Sequence, residues 1–515
     1  MHVTTRRSKE VRDAPKPSGR TERGRTPRAA SIREYERNIM TAATADAATG
    51  KVVENPPFKK TEPMAYAMGD IGNGFYFQLV TNYAMIYMTD ALGINPLIAG
   101  WIIFAGKLIS AFTDFGTGVW ADNAPLRKDG RYHWFVRTLR YPLMAVIILT
   151  FLPFVSSWAL PARITYITVI YILGVAFYSS TSAPYGSFAS VSTPVVKHRD
   201  EMAAGRGFGS TAGGIIVTFI LPLVMYTTVD GKKILNGPVL IWVAIVFAAL
   251  LWICYEITLR GTVERIRVEK GTNEHVPLFK SIKYMFSNRA MVALMLAALL
   301  LIFAQMFAGA VNSYLYKDYF NNTAALAILA VQNVPVLIVA PFVPAICDKY
   351  GKKLVCGILL VFTTVVYVVM FFLHITNPYV FVAFSIVAIF GNGVFGLMVW
   401  SFITDIIDDI QVKTHTREDG TVYTGYMFAR KIGQALSGLL PGIVLAATGY
   451  VTATSGQAIT QSADTLNNIY AVATLAPAIG NGLIAIILLF FYPLSGEISK
   501  KNAAELAARR AAGEM

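Results

Sequence analysis

Charge is scarce in this sequence. Asp, Glu, Lys and Arg make up 15% of its 515 residues, against roughly a quarter in soluble proteins. A water-soluble surface needs those charges and a lipid-facing one rejects them, which excludes an ordinary soluble domain. Cysteine is scarcer still, with only Cys254, Cys347 and Cys356. None forms a CxxC pair or stands beside His at ligand spacing, so neither a metal site nor redox chemistry is expected. No HExxH, no Ser/His/Asp set and no phosphate-binding Gly-rich loop occurs, which argues against a membrane enzyme. Without a nucleotide-binding module, uphill work would have to draw on an ion gradient.

Apolar residues are abundant, at 55% of the chain, and mean hydropathy is +0.50. At about twenty residues per span, this predicts an all-α membrane protein with twelve transmembrane helices. The first six lie near 71–91, 97–121, 135–156, 163–190, 206–227 and 238–258. The second six lie near 288–312, 323–347, 354–375, 378–405, 425–450 and 467–494.

Lys and Arg collect in alternate loops. Arg127, Lys128, Arg131 and Arg137 follow helix 2, Lys197 and Arg199 follow helix 4, and seven cations lie between Arg260 and Arg289. Lys349, Lys352 and Lys353 follow helix 8, and Lys413 and Arg417 follow helix 10. The opposite loops hold little beyond Arg163, Lys232, Lys233 and Lys317. The positive-inside rule then places both termini in the cytoplasm, as an even helix number requires. The expected location is the cytoplasmic membrane, with the bilayer as a partner and the chain a monomer.

Residues 1–60 carry 14 Lys/Arg against 7 Asp/Glu, or +7 of the net +14. That stretch is too polar to offset the entropy of ordering and is read as a disordered cytoplasmic tail. A basic tail can bind nucleic acid, but no folded nucleic-acid module accompanies it. A solvated arm near anionic lipid is the preferred reading, with no nucleic-acid partner. The remaining segments are a first half at 61–258, a connecting loop at 259–287, a second half at 288–496 and a tail at 497–515.

An internal repeat supports the two halves. GVWADNAPLRKDGR follows helix 2 and PAICDKYGKK follows helix 8. Each runs from a small or turn-forming residue to an Asp, then Gly and a cation, which suits a tight turn with Asp capping a helix. Matching turns after helices 2 and 8 are the mark of the major facilitator architecture.

Longer stretches carry a resemblance. YAMGDIGNGFYFQLVTNYAMIYMTDALGI (66–94), KLISAFTDFGTGVWAD (107–122) and DGTVYTGYMFARKIGQALSGLLPGIVL (419–445) lead it. YSSTSAPYGS (178–187) and WSFITDIIDDI (400–410) match more weakly. Together they are similar to the glycoside–pentoside–hexuronide:cation symporter family, to which the melibiose carrier belongs. The third stretch looks like the branch handling sulfoquinovose and similar sugars. The resemblance implies secondary active symport of a sugar or glycoside with a cation, proton or sodium, and no other cofactor. One alternative is a lysolipid or other amphiphile transporter of the same fold, and another is a non-transport membrane protein. Polar residues lining the helices would favour sugar, and a continuous apolar lateral cleft would favour lipid.

Two charges lie deep in predicted spans: Asp114 in helix 2 and Lys431 in helix 11. An ionised carboxylate at that depth costs roughly 2.5–3.5 kcal/mol on insertion scales. A pair across the halves would neutralise both and change when a cation arrives. The plain alternatives are a structural ion pair, or Lys431 snorkelling to the cytoplasm. In the family the cation sits among two helix 2 carboxylates, a helix 2 amide and a helix 4 hydroxyl. The matching positions here are Ser110, Asp114, Thr113 and Ser179, so one carboxylate has become a hydroxyl. A single carboxylate beside a lysine suits a proton better than sodium.

The family's galactoside-binding residues are replaced here by Gly74, Ser182 and Gly186, which argues against a melibiose-like galactoside. The substrate candidates are Asn73, Tyr178, Ser182, Tyr185, Arg206, Trp400 and Tyr426. Arg206 serves equally as partner for an anionic group on the sugar or as a cytoplasmic anchor. A cytoplasmic gate is expected from Asp122, Arg131, Asp348, Asp405, Asp408 and Arg417, with Asp405 and Asp408 pairing with Arg417 or Arg430. Asp70 is read as serving the start of helix 1. Gln305, Asn312, Gln332 and Asn333 are explained by inter-helix hydrogen bonds as well as by pocket contacts.

Overall fold

The computed structural model describes residues 56–125, 127, 130–193, 195–265, 288–414, 419–454 and 459–511, with short strands at 44–45 and 52–53. The chain divides into two units, 1–57 and 58–515. In the first, Thr44–Ala45 (β1) pairs antiparallel with Val52–Val53 (β2). Most of the tail and of the connecting loop, where disorder and a basic loop are expected, lie outside the described residues, as does Arg417.

The second unit is helical. Its first six long helices are α1 (Glu62–Asp90), α2 (Pro96–Asn123), α3 (Tyr132–Thr150), α4 (Leu160–Gly186), α5 (Val196–Val224) and α6 (Gly237–Gly261). The hairpin Tyr226–Val229 (β3) and Lys232–Leu235 (β4) joins the last two. The second set begins with α7 (Arg289–Tyr314), which continues as a π-turn through Leu315–Tyr319. It goes on with α8 in three pieces (Thr323–Leu329, Val334–Val339 and Val343–Tyr350), α9 (Lys352–Leu373), α10 (Pro378–Thr414), α11 (Asp419–Ala447) and α12 (Ala463–Ile486). Among the described residues nine of these helices are long and apolar enough to cross a membrane on composition alone. The other three, α1, α3 and α11, carry the polar and charged residues that the interior of the bundle uses.

Punctuation in the sequence sets several ends. Asn95 caps α2, accepting from Leu97 N at 2.9 Å, and Pro96 fills the first turn where no N–H is needed. Asn236, Asn288 and Ser462 cap α6, α7 and α12 in the same way. Helix α1 starts at Glu62 rather than 71, which puts Asp70 two turns inside it and ends its reading as an N-terminal residue. The predicted span 323–347 is instead three pieces: Thr323–Leu329, Val334–Val339 and Val343–Tyr350. Pro335, Pro341 and Pro344 cannot donate to the helical ladder and break it there. Helix α10 runs on to Thr414. The predicted C-terminal tail holds a helix, α13 (Gly496–Ala511), docked on α10, where Asn502 Nδ2 donates to Asp409 at 3.2 Å and Ser499 to Asp405 at 3.0 Å.

The near face of the bundle is where α1 begins, and the far face carries the β3–β4 hairpin. Helices α1 and α5 meet backbone to backbone, because a Cβ at Gly209 would lie 2.1 Å from the Ala67 carbonyl oxygen. Helices α2 and α11 join the halves similarly near the far face, where Gly442 approaches the Pro96 carbonyl. In the first repeat turn Gly130 has φ +102°. The cap expected of Asp122 comes from Glu264, which accepts from Arg131 N at 2.8 Å and His133 N at 2.6 Å. The side chain of Asp122 lies outside the described residues. In the second turn Gly351, at φ +87°, links α8 directly to α9.

Candidate functional site

Lys107, Ser110 and Asp114 recur at helical spacing on α2, so one face of that helix carries all three. Across the interface between the halves, Lys431 of α11 donates Nζ to Asp114 Oδ2. At 1.5 Å per residue, each charge lies about three turns from the near-face end of its helix. Neither is sealed: the side chains keep 36% and 28% of their exposure. Beside them, the Ser110 and Ser179 hydroxyls bond to each other at 2.7 Å. Thr113 donates to the Ile109 carbonyl at 2.9 Å, so its proton stays within α2.

The substrate candidates scatter. Asn73 is buried between α1 and α6, accepting from Tyr255 at 2.6 Å and donating to Asp70 at 3.2 Å. Tyr185 is fully buried and donates to the Tyr66 carbonyl, so it packs helices together rather than facing an open site. Arg206 is held by Asp70, Nε to Oδ2 at 2.9 Å, instead of reaching the helix entrance as an anchor. Tyr178 stacks on Tyr76 with centroids 5.1 Å apart, and Ser182 is half-buried one turn along α4. Trp400 meets Tyr426 edge-on at 5.3 Å near the other half's α10 and α11.

None of these lines a sizeable cavity between the two halves. That space, about 510 Å³, lies between the halves and is walled mainly by α1, α5, α7, α8 and α10. Its polar groups are hydroxyls and amides, the amides being Gln78 and Asn82 from α1, Gln305 and Asn312 from α7, and Asn392 from α10. Gln332 and Asn333 complete the set at the first break in α8, where helical backbone is already interrupted. Interrupted helices near the middle of the membrane are where carriers build binding sites. Aromatic faces come from Phe77, Tyr83, Tyr367 and Phe381. Four of the amides were visible in the sequence, but one at a time each looked like helix glue. Their convergence is the signal, and only the fold supplies it.

A second site was missed altogether. At the far face Lys317 donates to Asp90 and lies 3.1 Å from Asp318. Tyr450 donates to Asp90 at 3.0 Å, and Thr89 meets Tyr314 at 2.9 Å. This clasp ties α1 to α7 and to the end of α11, and the hairpin covers it with Asn321 Nδ2 bonded to the Gly231 carbonyl at 2.7 Å. Lys317 reads as a loop cation in the sequence, yet it sits buried in the last turn of its helix.

Among the described residues Asp405, Asp348 and Arg131 lie apart. Asp405 pairs with Lys352 at 2.6 Å, within its own half, rather than with Arg430; the pairing expected with Arg417 lies outside the described residues. Arg430 donates instead to the Tyr426 hydroxyl at 3.2 Å. Asp348 is exposed at the end of α8, its carbonyl accepting from Lys500 at 2.8 Å. Asp408 is half-buried on α10, and Arg131 is half-buried beside Glu264 in the first half.

Residues 65–496 match the family of MFS/sugar transport proteins. A Salmonella typhimurium (strain LT2) protein proposed as a sulfoquinovose importer is 30% identical over 88% of this chain and 94% of its own. The glucuronide carrier protein homolog of Escherichia coli (strain K12) is 28% identical, covering 87% and 95%. The isoprimeverose transporter of Lactiplantibacillus pentosus is 26% identical, covering 84% and 88%. Among solved structures, an inward-facing, unoccupied bacterial homolog of the human lysosomal transporter Spinster superposes with a TM-score of 0.62 at 15% identity, over 87% of this chain and 99% of its own. A D-xylose-proton symporter superposes with a TM-score of 0.57 at 11% identity, over 84% and 97%.

Proposed function

We propose that this chain, which belongs to the MFS/sugar transport protein family, is a carrier that moves a sugar or glycoside together with a cation across the cytoplasmic membrane, both termini being cytoplasmic. Its two six-helix halves are the major facilitator fold, and its relatives are transporters of that class. The amide-lined cavity between the halves is the sugar site in this reading. Amides donate and accept, as vicinal hydroxyls require, and aromatic faces suit the ring.

The observation that carries the coupling is the ion pair of Asp114 and Lys431, one from each half. A carboxylate that takes up a cation loses its hold on the lysine, and the balance between two arrangements of the halves shifts with it. A ligand moves such a balance only by binding the arrangements unequally, and a bond that spans them provides the inequality. The ion assigned is the proton. Hard metal cations gather several oxygen ligands, whereas Ser110 and Ser179 are bonded to each other and Thr113 to its own helix.

Lightly buffered proteoliposomes test this. Sugar entry should acidify the lumen without sodium, and Asp114→Asn should abolish uphill accumulation while sugar exchange survives. Wild-type accumulation in Asp114→Asn would remove the site. Sodium-dependent, pH-silent uptake would change the ion and keep the site.

A further inference from the structure

The sugar relatives just described include carriers of ionised sugars, yet the cavity of this chain is electrically bare. Among the described residues its lining holds no carboxylate, ammonium, guanidinium or imidazole group. Neither cation on the neighbouring helices lines the space: Arg206 pairs with Asp70, and Lys431 with Asp114 until that carboxylate takes up its cation. Lys107 has its ammonium 5.0 Å from the centre of the Phe77 ring and does not itself line the space. A sulfonate or carboxylate brought here would have to leave water without meeting a positive partner, at the depth where uncompensated charge is most costly.

One lining group shows what the site lacks. Asn392 is 7% exposed, and its Oδ1 is buried with no hydrogen-bond partner. A buried acceptor left unmade is expensive, and native proteins keep such groups for a ligand or an ordered solvent molecule. Only a donor satisfies it. A hydroxyl donates; a sulfonate or carboxylate only accepts, and its charge would be repelled by the amide oxygen. The remaining amides are close enough to chelate: Asn82 Nδ2 donates to Gln78 Oε1 at 2.8 Å, leaving the Asn82 oxygen and the Gln78 amino group for a diol.

We infer that the substrate is an uncharged sugar or glycoside, with a ring hydroxyl donating to Asn392 and no ionised group in the cavity. This rests on the cavity being the sugar site. It sets the chain apart in specificity from relatives whose named substrates are acidic or sulfonated.

The test uses the full-length chain in proteoliposomes and probes that differ only at one carbon. Glucose is compared with glucuronate and with sulfoquinovose, galactose with galacturonate, and xylose and isoprimeverose are added as further neutral probes. At least one neutral probe should be taken up saturably, with its acidic counterpart about 100-fold weaker as competitor, the factor expected for an unpaired charge at this depth. Asn392→Ala should weaken that neutral probe about tenfold while leaving thermal unfolding unchanged, because no internal hydrogen bond is lost. Gln305→Arg should let the acidic probe compete. An acidic probe carried as well as its neutral counterpart would overturn the inference and leave the sugar reading standing. Uptake of no probe in either set would overturn the sugar reading, and this inference with it. If a variant fails to fold, the wild-type comparison still decides.

Discussion

Among the described residues two Asp–Lys pairs join the halves of this protein, and they differ in one respect. At the far face Lys317 and Asp90 keep 7% and 2% of their exposure, and Tyr450 adds hydrogen bonds to the same carboxylate. In the middle of the bundle Lys431 and Asp114 keep 36% and 28%. In the proposed coupling the same chemistry therefore serves two ends. A sealed pair with its remaining lone pairs satisfied resists being parted, since each charge would be stranded out of water. A pair that water can reach has a partner waiting when it opens, so it can be exchanged for a cation at low cost. Burial, more than the charges themselves, separates a clasp from a switch.

Substitutions can break that contrast. The largest effect belongs to Lys317→Ala, which strands Asp90 and Asp318 together and should cost about 3–5 kcal/mol, read as a fall in thermal unfolding temperature and in yield. Should Lys317→Ala prove no less stable than Lys431→Ala, the distinction collapses. Lys431→Ala should cost about 1 kcal/mol, because solvent screens the abandoned Asp114, while uphill sugar accumulation disappears. The double change Lys431→Ala, Asp114→Asn should regain what stability was lost, since no charge is left alone. Next comes Tyr450→Phe, which removes bonds to Asp90 and Asp318 without removing a charge. A loss of about 1 kcal/mol is expected in the same unfolding measurement. Salt should have the smallest effect: raising it weakens partly exposed pairs more than buried ones. The thermal stability gap between wild type and Lys431→Ala should narrow with ionic strength, and the gap for Lys317→Ala should not.

The sequence made some of this legible. Asp114 and Lys431 stood out because a lone charge inside an apolar run has few innocent explanations, and the structure brings the two together. The helices were visible because each must present about twenty apolar residues to lipid. Lys317 was hidden by position, since a cation at the end of a span looks the same whether it caps a loop or enters the core. The break in α8 was written in Pro335, Pro341 and Pro344, but hydropathy runs smoothly across prolines. The amides were hidden by chemistry, as Gln305 or Asn392 serves equally as helix glue or as ligand. Only the convergence of five helices on one cavity separates those roles. Glu264 was out of reach altogether, because it lies past the end of α6 and acts on a turn more than a hundred residues earlier.

Glu264 and its neighbour also settle where the molecule can be cut. Residues 262–265 lie beyond α6, yet Glu264 holds the backbone of Arg131 and His133, and Arg265 grips Glu62 at the start of α1 through Nη1 at 2.8 Å. These four residues are a hem stitched to the first half. Separate fragments for reassembly should therefore be divided after Arg265. Division at Gly261, where the helix itself stops, would leave the first fragment with a frayed α1 and an uncapped α3, although no transmembrane residue had been removed.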